Sequence, residues 1–267
     1  MTRVSVGAST PTCLRLKDLL VAVPNKVLDP ANALSLSFQA GQMWGVLGPN
    51  GVGKTSLLHT LATLLPQASG SIALNDQLVS KMPRSSLAQQ LGIMFQEHQD
   101  GFPATVLETV MLGRFPHLSP WERETDQDLS LVLASLERLD LLAFQERPLR
   151  DLSGGERQRV ALATLMAQSP SVWLVDEPTN HLDLRYQVEA MKVLAEQAAT
   201  GRLVVMSLHD VNVATQWCSH VLLLYPDRPP IWGTAEALLT KDNLEPLYSQ
   251  KLAVTALEGK PLFIPVA

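Results

Sequence analysis

Cysteine is scarce. Cys13 and Cys218 are the only two, and neither sits at metal-ligand spacing, so no cysteine-built zinc or iron–sulfur site is expected. They leave open one disulfide or two reduced thiols, and the compartment argument favours thiols in a reducing cytosol. Long apolar runs are also missing. None approaches the about 18 residues of a membrane span, and runs such as Val221 to Tyr225 suit strands instead. Met1 to Pro11 is polar and lacks the apolar core of a secretion signal. The expected location is therefore the cytoplasm, with any work at a membrane done through a partner. Nor is there an excess of positive charge. Lys and Arg number 21 against 26 Asp and Glu, a net charge of −5. That is not the footprint of a nucleic-acid binder, and nucleic acid is not an expected partner. No internal repeat or low-complexity tract is present.

What is there points to one large α/β unit. The chain has 267 residues, 46% of them hydrophobic, which suits a single globular unit carrying a subdomain. Its focus is Gly48-Pro49-Asn50-Gly51-Val52-Gly53-Lys54-Thr55. This fits G-x-x-x-x-G-K-[ST], a loop whose backbone N–H groups wrap around phosphates. With Gly at about 7% of residues, a chance match in a chain this long has odds of roughly one in a hundred. The context strengthens it. Gln42 to Leu47 reads as a buried strand, and Leu57, Leu58, Leu61, Leu64 and Leu65 recur at helical spacing. Strand, Gly-rich loop and helix together aim a helix N-terminus at an anion. Lys54 would reach the β- and γ-phosphates, and the Thr55 hydroxyl would bind Mg²⁺.

Leu14 to Lys17, Leu19 to Val23 and Leu34 to Phe38 read as strands ahead of that loop. Ser69-Gly70-Ser71 reads as a break, followed by a strand at Ile72 to Leu74 and a turn at Asn75-Asp76. Leu91 to Phe95 is a further strand, ending at Gln96. The region from 97 to 152 then turns helical. Thr105 to Glu108 and Ser119 to Glu122 both have capping-box spacing, the second with Pro120 at the first helical position. Leu129, Val132, Leu133 and Leu136 follow it as one apolar stripe.

Three later motifs carry chemistry. Leu152-Ser153-Gly154-Gly155-Glu156 has capping-box spacing and leaves N–H groups free at a helix start, so it reads either as a cap or as a second phosphate contact. Val172 to Glu177 is an apolar strand ending in two carboxylates. Successive strand residues face opposite ways, which suits Asp176 for Mg²⁺ and Glu177 for polarising an attacking water; a solvated acidic turn before Pro178 is the plainer alternative. Leu203 to Ser207 is another buried strand, and it delivers His209 to a sheet edge where ligands of such folds bind. The other five histidines have no such context. From Pro226 the periodicity fades, with a loop at Pro229-Pro230 and short helices at Thr234 to Leu239 and Asn243 to Tyr248.

The phosphate loop, Gln96, Leu152 to Glu156, Val172 to Glu177, Asn180-His181-Leu182-Asp183 and His209 resemble, in order and spacing, the ATP-binding subunit of an ABC transporter. The resemblance spans about residues 14 to 249. Gly113-Arg114-Phe115-Pro116-His117 and Leu208-His209-Asp210-Val211-Asn212 look like the importers of iron-siderophores, haem or vitamin B12. The implied fold is an α/β P-loop NTPase core of ABC-ATPase type. It has an antiparallel β subdomain and a core over about 14–96 and 153–225. A helical subdomain is inserted over about 97–152, and a C-terminal extension covers 226–267. The implied roles are an ATP sandwich between Gly48 to Ser56 (with Val52 and Ser56 in the loop) of one copy and Ser153, Gly154 and Gly155 of a second. Gln96 would contact Mg²⁺ and the attacking water, Asp183 would communicate across the dimer, and His209 would contact the γ-phosphate. The helical subdomain would dock an integral-membrane permease at the cytoplasmic face of the inner membrane, with a substrate-binding protein as an indirect partner.

One position departs from the family. An aromatic residue usually precedes the loop and stacks on adenine, whereas Val23 stands there. An aliphatic side chain covers a base without the stacking energy, so loose discrimination between ATP and GTP is expected. Two other ABC groups are alternatives to the transporter. A ribosome-associated protein would carry two cassettes and a charged linker, and a DNA-repair ATPase a long heptad insertion. Neither feature is present.

Overall fold

The computed structural model describes residues 12–24, 28–96, 103–119 and 121–266. Cys13–Val21 (β1) and Leu34–Gln39 (β2) pair antiparallel. The two strands expected at Leu14 and Leu19 are one. It bulges at Asp18, which takes a positive φ of 48°, and it stops at Val21 rather than Val23. Met43–Leu47 (β3) leads into the phosphate loop, and Lys54–Leu61 (α1) leaves it. Gln67–Leu74 (β4) pairs with β1 and turns through Asn75 and Asp76 into the short Gln77–Leu78 (β5). The expected break at Gly70 therefore lies inside β4. Gly70 has φ 83° and faces the bulge so closely that a Cβ would strike the Asp18 carbonyl. Here glycine marks a close approach of two backbones, not a strand end.

Arg84–Gln90 (α2) precedes Leu91–Met94 (β6). Val106–Met111 (α3) carries the expected Thr105–Glu108 capping box and runs into a 3-10 helix over Leu112–His117. The second expected helix starts later than Ser119. Ser119 and Glu122 exchange hydrogen bonds, yet Trp121 is 98% exposed and no helix begins there. Asp126–Arg138 (α4) starts one turn later on a Thr125–Asp128 capping box. Its stripe is accordingly narrower: Val132 and Leu136 are buried, while Leu129 is exposed.

Gly154–Gln168 (α5), Val172–Asp176 (β7), Leu184–Ala199 (α6), Leu203–Ser207 (β8), Val211–Trp217 (α7) and His220–Leu223 (β9) complete the core. The C-terminal region is more ordered than its sequence suggests. Ile231–Thr234 (β10) joins the sheet, Ala235–Leu238 (α8) and Lys241–Tyr248 (α9) follow, and Leu252–Leu257 (β11) and Lys260–Pro265 (β12) close a hairpin. Only Leu252 and Phe263 of that hairpin are buried, which is why its alternation is faint.

The central sheet has the order β10-β9-β3-β8-β7-β6, parallel except for β10. Both faces are covered, so its strands are continuous apolar runs. Trp173 and Val175 of β7 pack with α3, α4 and α5, while Val172 and Leu174 pack with α1 and the β1-β2-β4-β5 sheet. Val204 and Met206 divide from Leu203 and Val205 of β8 in the same way. The shared direction of β3, β6, β7 and β8 brings their C-terminal ends to one edge.

Candidate active site

That edge holds the chemistry. Gly53 takes φ 117° at the start of α1, and Gly51 takes φ 72°. A Cβ on Gly53 would lie 2.6 Å from Val23 Cγ2, so the loop turns here only with glycine. The α1 N-terminus has no side-chain cap and no acidic residue in its first turn. Its N–H groups therefore point at open space, as anion binding requires. Helices α3, α4 and α5 each close the same position with a capping box.

Lys54 is buried. Its ammonium donates to the carbonyl oxygens of Gly48 at 2.8 Å and Pro49 at 3.3 Å. Burial holds its pKa below the ordinary lysine value, partly opposed by the Glu177 and Asp176 charges. A dehydrated ammonium held by two neutral carbonyls is poised to exchange them for phosphate oxygens. Val52 is buried in the loop behind it, whereas Asn50, Thr55 and Ser56 line the open cleft.

The two carboxylates at the end of β7 separate sharply. Asp176 is fully buried, its Oδ1 accepting a 2.5 Å hydrogen bond from Ser207 Oγ. Strand pairing sets that contact, because Asp176 and Ser207 are register partners. Ser207 Oγ also accepts from the Glu177 backbone N–H at 2.9 Å. Glu177 lies past the strand end with φ 51°. A left-handed turn in a bulky residue, rather than strand alternation, aims its side chain into the cleft. There Oε2 accepts from Gln96 Nε2 at 2.7 Å and from Asn180 Nδ2, while Oε1 accepts from His209 Nε2–H. Three side chains thus meet on one carboxylate. The cleft, about 390 Å³, brings Val23, Lys54, Thr55, Gln96, Glu177 and His209 together.

Asp176 Oδ2 is buried without a hydrogen-bond partner among the described residues. An orphaned carboxylate oxygen whose charge reaches Lys54 of the phosphate loop fits a hard cation. Among the described residues no cluster of three His, Cys, Asp or Glu side chains could hold a metal. Mg²⁺ suits such a sparse donor set, since it keeps waters and takes phosphate oxygens alongside one or two protein groups.

Ser153, Gly154 and Gly155 lie elsewhere. They line a different cleft of about 620 Å³ with His181, Leu182 and Asp183, and none of its residues borders the phosphate loop. Ser153 does cap α5: its Oγ accepts from Glu156 N–H at 3.3 Å, and Glu156 accepts from Ser153 N–H at 2.7 Å. Gly154 and Gly155 stand at the first two helical positions, where N–H groups have no intrahelical acceptor. Asp183 caps α6 through a 3.0 Å bond from Tyr186 N–H.

The sequence singled out no role for Ser207, Asn180 or Gln158. Gln158 Nε2 donates to the Glu177 carbonyl at 3.1 Å, tying α5 to the end of β7. Strand register reveals Ser207, but no spacing rule reveals Gln158. Gly113 to His117 serves the packing here. Buried Arg114 bonds Asp128 Oδ1 at 2.8 Å and the Ala167 carbonyl at 2.7 Å, locking α4 to α5.

Comparison with known proteins identifies the family. The ABC transporter family profile matches residues 31–180. The chain is 34% identical over 216 residues to the iron(3+)-hydroxamate import ATP-binding protein FhuC of Bacillus subtilis, covering 80% of each. It is 35% identical over 258 residues to the hemin import ATP-binding protein HmuV of Pseudomonas aeruginosa, covering 94% of this chain and 99% of that one. A metal-chelate type ABC transporter, solved in an inward-facing conformation, superposes with a TM-score of 0.82 at 25% identity, over 96% of this chain and 98% of that one. With the profile spanning more than half of the sequence and a relative matched almost end to end, the chain belongs to the ABC transporter family, as an ATP-binding subunit that hydrolyses ATP.

Proposed function

We propose that this subunit powers an importer of an iron-siderophore, haem or a related chelate such as vitamin B12. It would work as an ATP-sandwich dimer beneath an integral-membrane permease. The observation that carries the dimer is the separation of the two phosphate-binding surfaces. Lys54, Glu177 and His209 share one cleft, while Gly154 and Gly155 line another on the same chain. Each cleft is half a site, and a second copy supplies the other half. The cargo class is supported by the names of FhuC and HmuV, which import iron(3+)-hydroxamate and hemin. Among the described residues no helix is long and apolar enough to cross a membrane. The proposed location is the cytoplasmic face of the inner membrane, held there by a permease on the α3–α4 helices and reached only indirectly by a substrate-binding protein.

In the proposed reaction water attacks the γ-phosphate of ATP. Glu177, oriented by Gln96, Asn180 and His209, accepts the water proton as the new P–O bond forms. Lys54 and the α1 N–H groups hold the β- and γ-phosphates while the bond to the leaving ADP oxygen breaks. Thr55 and Asp176 would hold Mg²⁺, which supplies charge neutralisation at the phosphate oxygens when bound. His209 moves from Glu177 to the γ-phosphate, and Asp183 lies beside the partner's site. ATP joins the two copies, and hydrolysis lets them part. The difference in free energy between these states moves the permease.

The test is reconstitution with the permease in liposomes. ATP-dependent uptake of ferric hydroxamate, hemin or cobalamin supports the proposal. Stable hydrolysis with no copurifying membrane protein and no uptake of any of the three contradicts it.

A further inference from the structure

The segment following His209 is held by the far C-terminus. Asp210 caps α7 through a 2.8 Å bond from Asn212 N–H. The Asn212 side chain then makes two bonds to one residue of β12. Its Oδ1 accepts from Phe263 N–H at 2.8 Å, and its Nδ2 donates to the Phe263 carbonyl at 3.1 Å. A side-chain amide here pairs with a strand edge as another strand would. Lys260 adds a second tie, donating to the Gln216 carbonyl at the end of α7 at 2.7 Å. Phe263 is buried in the core against α7. Tyr248 of α9 brings a buried hydroxyl to the same place, its pKa raised by burial and by the Asp210 charge.

On the other side, His209 meets Glu177 across the cleft. Between β8 and α7 the backbone is tied to the sheet by Leu208 N–H, which donates to Val46 O at 3.1 Å. His209 is thus suspended between that anchor and Asn212, three residues on. We infer that Asn212 is a positioning residue for His209, and that the β11–β12 hairpin belongs to the hydrolytic apparatus because it holds Asn212. Asn212 does not touch the nucleotide cleft; it sets where the imidazole stands. The inference rests on the assignment of His209 proposed above.

A double-mutant cycle on the full-length protein tests it. Asn212→Ala is expected to lower kcat for ATP hydrolysis about tenfold while KM for ATP stays within about twofold. In a His209→Ala background the same substitution is expected to change kcat less than about twofold, because its effect passes through the missing imidazole. Independent, multiplying losses overturn the inference, as does a slow His209→Ala protein beside a fully active Asn212→Ala protein. Full activity of His209→Ala overturns the His209 assignment itself, and the inference with it. If Asn212→Ala does not fold, Asn212→Ser keeps a short hydrogen-bonding group and carries the same cycle, with the same outcomes.

Discussion

Gln96 Nε2 donates a 2.7 Å hydrogen bond to Glu177 Oε2, across the ends of two adjacent parallel strands. The bond links Gln96, two residues past the end of β6, to the carboxylate just after β7. It holds the carboxylate by a side-chain hydrogen-bond donor rather than by an ammonium. Gln96→Ala removes one of three such donors. We expect kcat to fall about tenfold with KM for ATP little changed, since the lost interaction orients the base rather than binding substrate. Steady-state kinetics check this.

The remoteness of Gly154 from the phosphate loop yields a second prediction. A Cβ at Gly154 would lie 3.6 Å from His181 Cβ, an ordinary contact, so a side chain fits there. In the proposed ATP-sandwich dimer, Gly154→Asp would place a carboxylate against the partner's nucleotide phosphates. The variant should bind ATP at its own loop as the wild type does, yet fail to form the ATP-induced dimer. Equilibrium nucleotide binding beside size measurement of the Glu177→Gln and Glu177→Gln/Gly154→Asp proteins separates the two effects.

Val23 packs on the glycine that opens α1. In the proposed site Val23 is an aliphatic cover for the base, which offers contact area without stacking. ATP and GTP should therefore compete within about tenfold of each other, because the missing aromatic stack is worth about 1–3 kcal/mol. Competition for binding is the measurement, and a strong ATP preference would count against this reading.

Arg114 and Asp128 form a buried pair between the 3-10 helix at Leu112–His117 and α4. Hydrogen bonds from Thr125, and then from Arg114, hold the Asp128 carboxyl down to about 2, against 3.8 for a free side chain. A carboxyl depressed in the folded state stabilises it above the unfolded value and loses that contribution as pH falls. The contribution should be complete above pH 3.8 and vanish through about 2. Arg114→Ala should cost about 3 kcal/mol or more, since it leaves a buried charge unpaired. The gap in unfolding free energy between wild type and Asp128→Asn should narrow as pH falls over the same interval.

Much of this was legible in the sequence because it rests on local rules. The phosphate loop declares itself through glycines whose φ values other residues avoid, and the strands of the parallel sheet through unbroken apolar runs. Gln96, Glu177 and His209 could be picked out, but their meeting on one carboxylate depends on β6, β7 and β8 lying side by side. Ser207 stayed hidden because its role comes from register with Asp176. The aim of Glu177 stayed hidden too, because a left-handed turn replaces the alternation of a strand. At Ser119, capping-box spacing misled: side-chain and backbone bonds formed, but no helix propagated before Thr125. The C-terminal hairpin buries two side chains, too few to leave a periodic trace.

The central claim is that Glu177 takes the proton of the attacking water within a site completed by a second copy. Glu177→Gln tests it most directly, since the amide keeps the shape but cannot accept that proton. The account predicts that the variant binds ATP, forms the ATP-dependent dimer, and hydrolyses about 10²–10⁴-fold more slowly than wild type in single-turnover assays. Hydrolysis near the wild-type rate would contradict it.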